Sequence, residues 1–498
     1  MFRKDDMTVT TGDGAADRHE FFIGGEWAVG SASATTTTVL EASTGTELGR
    51  APLAGSADVD AAVAAATAAL AGPWGSTTGA QRAAMMRAMA TALQATGADT
   101  ATLVTRENGM PRRLSIGANA GFPSMALEYY AGLAEQLDTA DDVRNGLMSQ
   151  VTVRRPPVGV VAAVIPWNYP MSLAAMKLAP ALAAGCTVIL KPPPETALDS
   201  FAWADAALAA GLPAGVLNVL PGGREAGAAL VSHPGVNKVA FTGSTAAGRV
   251  IGETCGRLLR PVTLELGGKS AALLAEDADL DAFVKSLLNV CLPNNGQTCH
   301  ANTRILAPAS RYDAVVDAIT DAVGALTVGD PLDTATQIGP MVSEAQRRRV
   351  LGYIDSGRAS GARITTGGGV PKDLSAGWFV EPTVFADVDN AMTIAQEEIF
   401  GPVLCVLPYR DEDEAVAVAN DSEFGLGGTV WTTDPDRGTA LADRIRTGTV
   451  GINHYALDMT GPFGGVKASG IGRELGPEGL SPYFALKSVY RAPVRNAQ

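Results

Sequence analysis

From residue 151 the chain alternates short apolar runs with alanine-rich stretches, and this rhythm leaves few folds open. VTVRRPPVGVVAAVIPWNYP holds two short strands around a proline break. MSLAAMKLAPALAAG (helix), CTVILKP (strand), SFAWADAALAAG (helix), VLNVLPG (strand), AGAALVSHPG (helix) and KVAFTGS (strand) follow. Strands alternating with helices in this way predict a parallel, doubly wound α/β sheet. The pattern resumes after about residue 270, in SAALLAE, TRILAPA and GPVLCVLPY, so two α/β lobes are expected. Ahead of them, FFIGGEW (21–27) reads as a hairpin around two glycines, and 57–72 as a helix from Asp58 to Gly72. The stretch 81–97 reads as a second helix stopped by its own Gly97. The glycine-rich segment near the C-terminus reads as a folded loop system, and ALKSVYRAPV (485–494) as a terminal strand.

The chain's 498 residues, 46% apolar and 18% charged, suit two or three domains with sizeable cores. Its formal charge of −14 repels phosphate backbones and anionic lipid, so neither nucleic acid nor a membrane surface is an expected partner. The longest apolar runs, such as VGVVAAVI, fall short of the roughly 18 residues that a membrane helix needs. Five scattered cysteines without a CxxC pair argue against a disulfide framework and a structural zinc site. The four histidines show no metal-ligand spacing. The first residues, to about 19, are polar and read as a frayed tail without a signal peptide, so the cytoplasm is the expected compartment.

Several short segments carry chemistry. In KVAFTGSTAAGR a strand meets Gly243, and a helix can start at Thr245 or Ala246. Gly243, Ser244 and Gly248 would let an anion approach a helix N-terminus, although such turns also occur without any ligand. Lys191, in LKPPPETAL, ends a strand where open α/β sheets bind ligands, or it is a plain surface charge. Asn168, in PWNYP, is either a turn residue or an amide held to stabilise an oxyanion. Glu265, in TLELGGKS, ends an apolar strand; it is a general base with a raised pKa, or it pairs with a lysine such as Lys269.

Cys299 lies in NNGQTCHANTR, a polar loop with a glycine. Structural cysteines usually sit among apolar residues, as Cys186, Cys291 and Cys405 do. A thiolate in a polar loop would be reachable and stabilised, which makes Cys299 a candidate nucleophile. His300 adjoins it, but neighbouring side chains diverge, so it is not assigned as the base.

Together these segments resemble the aldehyde dehydrogenase superfamily. PWNYP, LKPPPETAL, GLPAGVLNVLPG, FTGSTAAG, LELGGKS, NNGQTCHANTR, EEIFGPV and PFGGVKASGIGRELG occur in the family's order, and the resemblance runs from FFIGGEW to ALKSVY. It implies an aldehyde dehydrogenase-like α/β fold. A Rossmann-type NAD(P)-binding domain would span 20–138 and 158–267, and a catalytic domain 268–468. Oligomerisation strands would lie in 139–157 and 483–498. The resemblance makes Cys299 the nucleophile that yields a thiohemiacetal and then a thioester. Asn168 and the Cys299 N–H would form the oxyanion hole, and Glu265 would activate the hydrolytic water. Lys177 and Glu474 match positions tied to proton transfer near that base. For the cofactor, Gly243, Ser244 and Gly248 would meet the pyrophosphate. Lys191 and Glu398 would hold the riboses, and Phe400 would pack near the nicotinamide. Ile165, Trp167 and Gly223 match backbone or packing contacts.

NAD is the expected cofactor, but Pro194 stands where many NAD-preferring members carry a glutamate on the adenosine ribose, and without that carboxylate NADP stays open. The substrate positions are read as Tyr169, Leu173, Met176, Pro293, Thr298, His300, the 455–459 loop and Phe463. They are mostly apolar, which implies a hydrophobic aldehyde. The resemblance also implies a homodimer or homotetramer. Alternatives are a CoA-acylating member of the superfamily, against which Glu265 speaks, and a catalytically silent binding protein on the same fold.

Overall fold

A computed structural model describes residues 17–137 and 142–492. The expected tail to residue 16, and residues 138–141 and 493–498 of the expected terminal and oligomerisation segments, lie outside the described residues.

Two mixed sheets dominate. The first has eight strands in the order Gly470–Ile471, Val262–Glu265, Lys238–Thr242, Val160–Val164, Thr187–Lys191, Leu217–Val219, Glu20–Ile23, Glu26–Val29. Its five central strands are parallel, as the alternating sequence predicts. The FFIGGEW hairpin caps one edge, turning through Gly24 and Gly25 at φ 64° and 84°. A two-residue strand from beyond residue 468, Gly470–Ile471, pairs antiparallel with Val262–Glu265 at the other edge. The second sheet runs Arg363–Thr366, Thr383–Ala386, Val403–Tyr409, Arg304–Pro308, Ala271–Leu274, Gly428–Trp431, Gly451–Ile452. A separate three-stranded sheet joins Asp142–Asn145, Gln150–Arg154 and Lys487–Arg491.

Helices cover the first sheet. Pro170–Ala184 is buried at every residue, pressed between the sheet and the helices Gly79–Asn108 and Phe122–Gln136. Ser56–Ala71 starts where Asp58 accepts hydrogen bonds from the Gly55 and Ser31 N–H groups, which fixes its first turn. One expectation fails here. The helix read as ending at Gly97 continues to Asn108, and Gly109, left-handed at φ 78°, ends it. Gly97 is a close-packing position: a Cβ there would lie 2.9 Å from the Ala120 Cβ. A glycine marks a helix end only when its own backbone turns left-handed, and neighbouring packing can require one mid-helix.

Candidate active site

The first sheet's Val262–Glu265 strand ends at Glu265, and Gly267 and Gly268 carry the chain across to the second sheet at Ala271. The NNGQTCH loop returns from the helix Leu280–Val290 and enters the second sheet at Arg304. Cys299 therefore lies where the two sheets meet.

The loop is polar in sequence, yet most of it is shielded from solvent. Residues 293–298 are buried. Their amides are internal scaffolding. Asn294 Nδ2 donates to the Asn168 carbonyl at 2.9 Å. Asn295 Nδ2 donates to Gly109 and Pro340 at 2.8 and 2.9 Å, and its Oδ1 accepts from the Gly339 N–H. Gln297 Oε1 accepts from the Val342 N–H. Asn294 and Asn295 take left-handed backbone at φ 49° and 60°, which asparagine tolerates. At Gly296, φ 76°, a Cβ would lie 2.1 Å from the Gly401 carbonyl oxygen.

Cys299 is partly exposed, whereas the other four cysteines are buried. Burial of the thiol pushes its pKa up, and the nearby Glu398 and Glu265 carboxylates raise it further. Gly268 fits tightly against it: a Cβ there would lie 2.3 Å from the Cys299 carbonyl oxygen.

Asn168 Nδ2 donates to the Gln297 carbonyl at 3.0 Å, which turns the amide toward the cysteine loop, and its Oδ1 is buried without a partner. The peptides of Trp167 and Asn168 are gripped by Asn108 Nδ2 at 3.0 and 3.2 Å. Asn108 ends the long helix, and nothing in the sequence marked it, because its partners lie some sixty residues away.

Glu265 is 2% exposed, and neither carboxylate oxygen has a hydrogen-bond partner. The ion pair offered for it with Lys269 is absent: the Lys269 ammonium is itself buried without a partner. Burial holds the Glu265 pKa well above the carboxylate range, and Glu474 adds to the rise. Lys177 and Glu474 do meet. Lys177 Nζ donates to Glu474 Oε1 at 2.7 Å and to the Thr242 hydroxyl at 2.6 Å. Thr242 is a second residue that the sequence reading passed over.

The expected cofactor residues line one edge of the first sheet. Ile165, Trp167, Lys191, Gly223, Gly243 and Ser244 all follow the carboxyl ends of its parallel strands, where open α/β sheets bind ligands. Lys191 is buried, donates to the Gly222 and Pro192 carbonyls at 2.6 and 3.0 Å, and is pushed down to about 8 by that burial. Ser244 caps the helix Thr245–Arg257 by accepting from the Ala247 N–H. The first N–H groups of that helix have no partner within it and suit an anion. A Cβ at Gly243 would strike the Phe241 ring at 2.5 Å, and one at Gly248 the Leu266 side chain at 2.4 Å, so the helix start must be glycine-lined. Pro194 opens a single 3-10 turn. Glu398 accepts from the Gly268 N–H at 3.0 Å and is raised by burial to about 7. Phe400, at φ 61°, sets its ring edge-on to Trp167 with centroids 5.3 Å apart. An anion-accepting helix start and a buried lysine along the first sheet's strand ends, with the Glu398 carboxylate reaching Gly268 from the second lobe, fit a dinucleotide.

Of the substrate positions, Leu173 and Met176 are buried in the core helix. Tyr169 and Thr298 share a hydrogen bond at 2.9 Å, and Thr298 donates to the Pro293 carbonyl at 2.9 Å. Pro293 also lines a groove of about 400 Å³ with Pro111, Arg113, Leu288 and Leu292, and Cys299 is not among its lining residues. His300 stacks obliquely on Tyr455 and edge-on against Phe463.

Comparison with known proteins places the chain in a family. Residues 27–489 match the model of the aldehyde dehydrogenase family. A geranial dehydrogenase of Castellaniella defragrans is 54% identical over 475 residues, covering 95% of this chain and 99% of the relative. The crystal structure of a Mycobacterium tuberculosis aldehyde dehydrogenase complexed with NAD+ superposes with a TM-score of 0.94 at 49% identity, covering 97% of this chain and all of the other. A Pseudomonas syringae aldehyde dehydrogenase variant complexed with NAD+ and octanal gives 0.90 at 35% identity, over 95% of this chain and 96% of the other. The two joined sheets with a cysteine between them are thus the fold of an α/β aldehyde-oxidising enzyme. The chain belongs to the aldehyde dehydrogenase family.

Proposed function

We propose that the protein oxidises a hydrophobic aldehyde, of which geranial is the first candidate, to the carboxylic acid with NAD+. The observation that carries this reading is the pairing of a partly exposed Cys299 with the buried, unpartnered Glu265 across the junction of the two sheets. The Cys299 thiol gives its proton to solvent water, and the thiolate sulfur adds to the aldehyde carbonyl. The Asn168 amide and the Cys299 N–H hold the resulting oxyanion. NAD+, when bound, would supply the hydride acceptor for oxidation at this carbon. Lys191, Glu398, Ser244 and the helix start at Thr245 would hold the dinucleotide, with Phe400 and Trp167 expected near its nicotinamide end. Glu265 then takes a proton from water, the hydroxide adds to the thioester, and the thiolate leaves as the acid forms. Lys177 and Glu474 pass the proton on from Glu265.

Water and not CoA is the acyl acceptor in this reading, because Glu265 has no other partner to serve. The three-stranded sheet, with Leu147, Met148, Leu486 and Tyr490 exposed, pairs with further copies of the chain in a dimer or tetramer. The chain works in the cytoplasm, where its five free cysteines stay reduced. No helix among the described residues is long and apolar enough to cross a membrane.

The test is nicotinamide reduction with a panel of aldehydes, NAD+ and NADP+ being supplied separately, with Cys299→Ala alongside and CoA added in a second series. Turnover with NAD+ alone and a dead variant are expected. Activity that needs CoA would replace hydrolysis with acyl transfer, and silence throughout would leave a binding protein. Light scattering of the purified protein at the mass of one chain would remove the oligomer.

A further inference from the structure

We propose that the second sheet holds a monatomic anion, chloride, in a small cavity shared by the Lys269 ammonium and the Arg304 guanidinium. The site stands apart from the aldehyde chemistry proposed above.

Lys269 and Arg304 are only 2% and 1% exposed, so water cannot solvate their charges. Among the described residues neither has a carboxylate within salt-bridge distance, and the Lys269 ammonium has no hydrogen-bond partner at all. Arg304 spends its donors on neutral oxygens. They go to the Lys269, Val418 and Ala419 carbonyls at 3.0, 3.0 and 2.9 Å and to the Asn390 amide oxygen at 3.0 Å. The carboxylates of Glu398, Glu397 and Asp421 act on the two cations only from farther away. Two buried positive charges thus lack a counter-ion within the protein, and a bound anion supplies it.

The space is present. Lys269 and Arg304 line one cavity together with Ala419, Leu426, Ile445 and Thr447. The strands set this meeting. Arg304 pairs with Ala271, and Lys269 stands two places before Ala271. Strand alternation puts all three on the face where Ala419 and Ile445 pack. The cavity measures about 10 Å³, room for one water-sized particle and none for phosphate, sulfate or a carboxylic acid. A water fills that volume but leaves the charge. Burial pushes the Lys269 ammonium down, with Arg304 adding to the fall, and burial pushes Arg304 down to about 10. An anion between them opposes both shifts.

Lys269 directly follows Gly267 and Gly268, the crossing that runs behind Cys299. The Gly268 N–H is held by Glu398 at 3.0 Å, and the Gly267 carbonyl by the Ser469 hydroxyl at 2.7 Å. The anion fixes the third residue of that crossing from the side of the second sheet.

Thermal melts of the full chain in sodium chloride and in sodium gluconate at equal ionic strength test the site, since gluconate is too large to enter. Chloride is expected to raise the melting temperature by about 1–3 °C along a saturating curve, and Lys269→Met to abolish that gain. Should Lys269→Met not fold, crystals of the native protein grown in chloride and measured at long wavelength make the test. An anomalous peak within hydrogen-bond distance of Lys269 Nζ is then expected. Equal melting in the two salts, a chloride gain that survives in Lys269→Met, or a water without anomalous signal in the cavity would each overturn the site.

Discussion

Lys177 and Glu474 are 297 residues apart in the chain, and in the fold their charged groups stand 2.7 Å apart, both buried. The Thr242 hydroxyl takes a second proton of the ammonium, and Glu474 Oε2 is left without a partner. The pair crosses from the core helix to the C-terminal loop system behind Glu265, so it joins distant parts of the chain and sets the field on the base. Removing one charge leaves the other buried and alone, which costs about 3–5 kcal/mol. Lys177→Met should therefore lower the melting temperature markedly, while Lys177→Met with Glu474→Leu should recover much of the loss. Thermal melts of the three variants decide it; a double variant no better than the single one would rule out the charge as the cause.

Glu265 acts after the hydride has left. Replacing it with Gln should spare a burst of reduced nicotinamide and slow steady turnover by about 10²–10⁴-fold. Stopped-flow absorbance separates the two phases. Equal loss of burst and turnover would take Glu265 out of the hydrolytic step.

Gly268 has no room for a side chain beside the Cys299 carbonyl. A methyl group 2.3 Å from a backbone oxygen must push the cysteine loop away. Gly268→Ala should cut kcat by about 10²-fold, since an ångström of misplacement at a reacting centre costs that much. Labelling Cys299 with a thiol reagent in this variant should show whether the thiol has moved or the protein has unfolded.

Burial raises Glu398 from 4.5 to about 7, so the folded form keeps this proton over a range where the unfolded chain has released it. The stability it contributes is complete below pH 4.5 and is lost as the pH rises through about 7. Glu398→Gln should thus raise the melting temperature of the cofactor-free protein at pH 8 and leave it little changed at pH 4.5. Melts across that range check the sign; a larger gain at the acid end would contradict it.

Much of the fold was legible because strand and helix periods are local. The five parallel strands of the first sheet, the FFIGGEW hairpin and the strand near residue 490 all lie where the sequence placed them. The long helix was cut short at Gly97, because the contact with Ala120 that requires a glycine there is not local. Cys299, Glu265 and Asn168 were candidates from their segments, and the family's motif order joined them. Asn108, Thr242, Asn295 and the Tyr169–Thr298 bond gave no signal, since each acts on a partner far away in sequence.

The sequence by itself determined the α/β class, the element order and the residue types able to do the chemistry, because patterning and turn chemistry act between near neighbours. The tertiary structure alone decided their electrostatic state. The NNGQTCH loop looks hydrated as a string of polar letters, yet its amides are spent on buried backbone groups. Burial then raises the Cys299 thiol and leaves Glu265 without the lysine that stands four residues on. Protonation depends on how much water and charge surround a group, and only the packing of distant segments sets that.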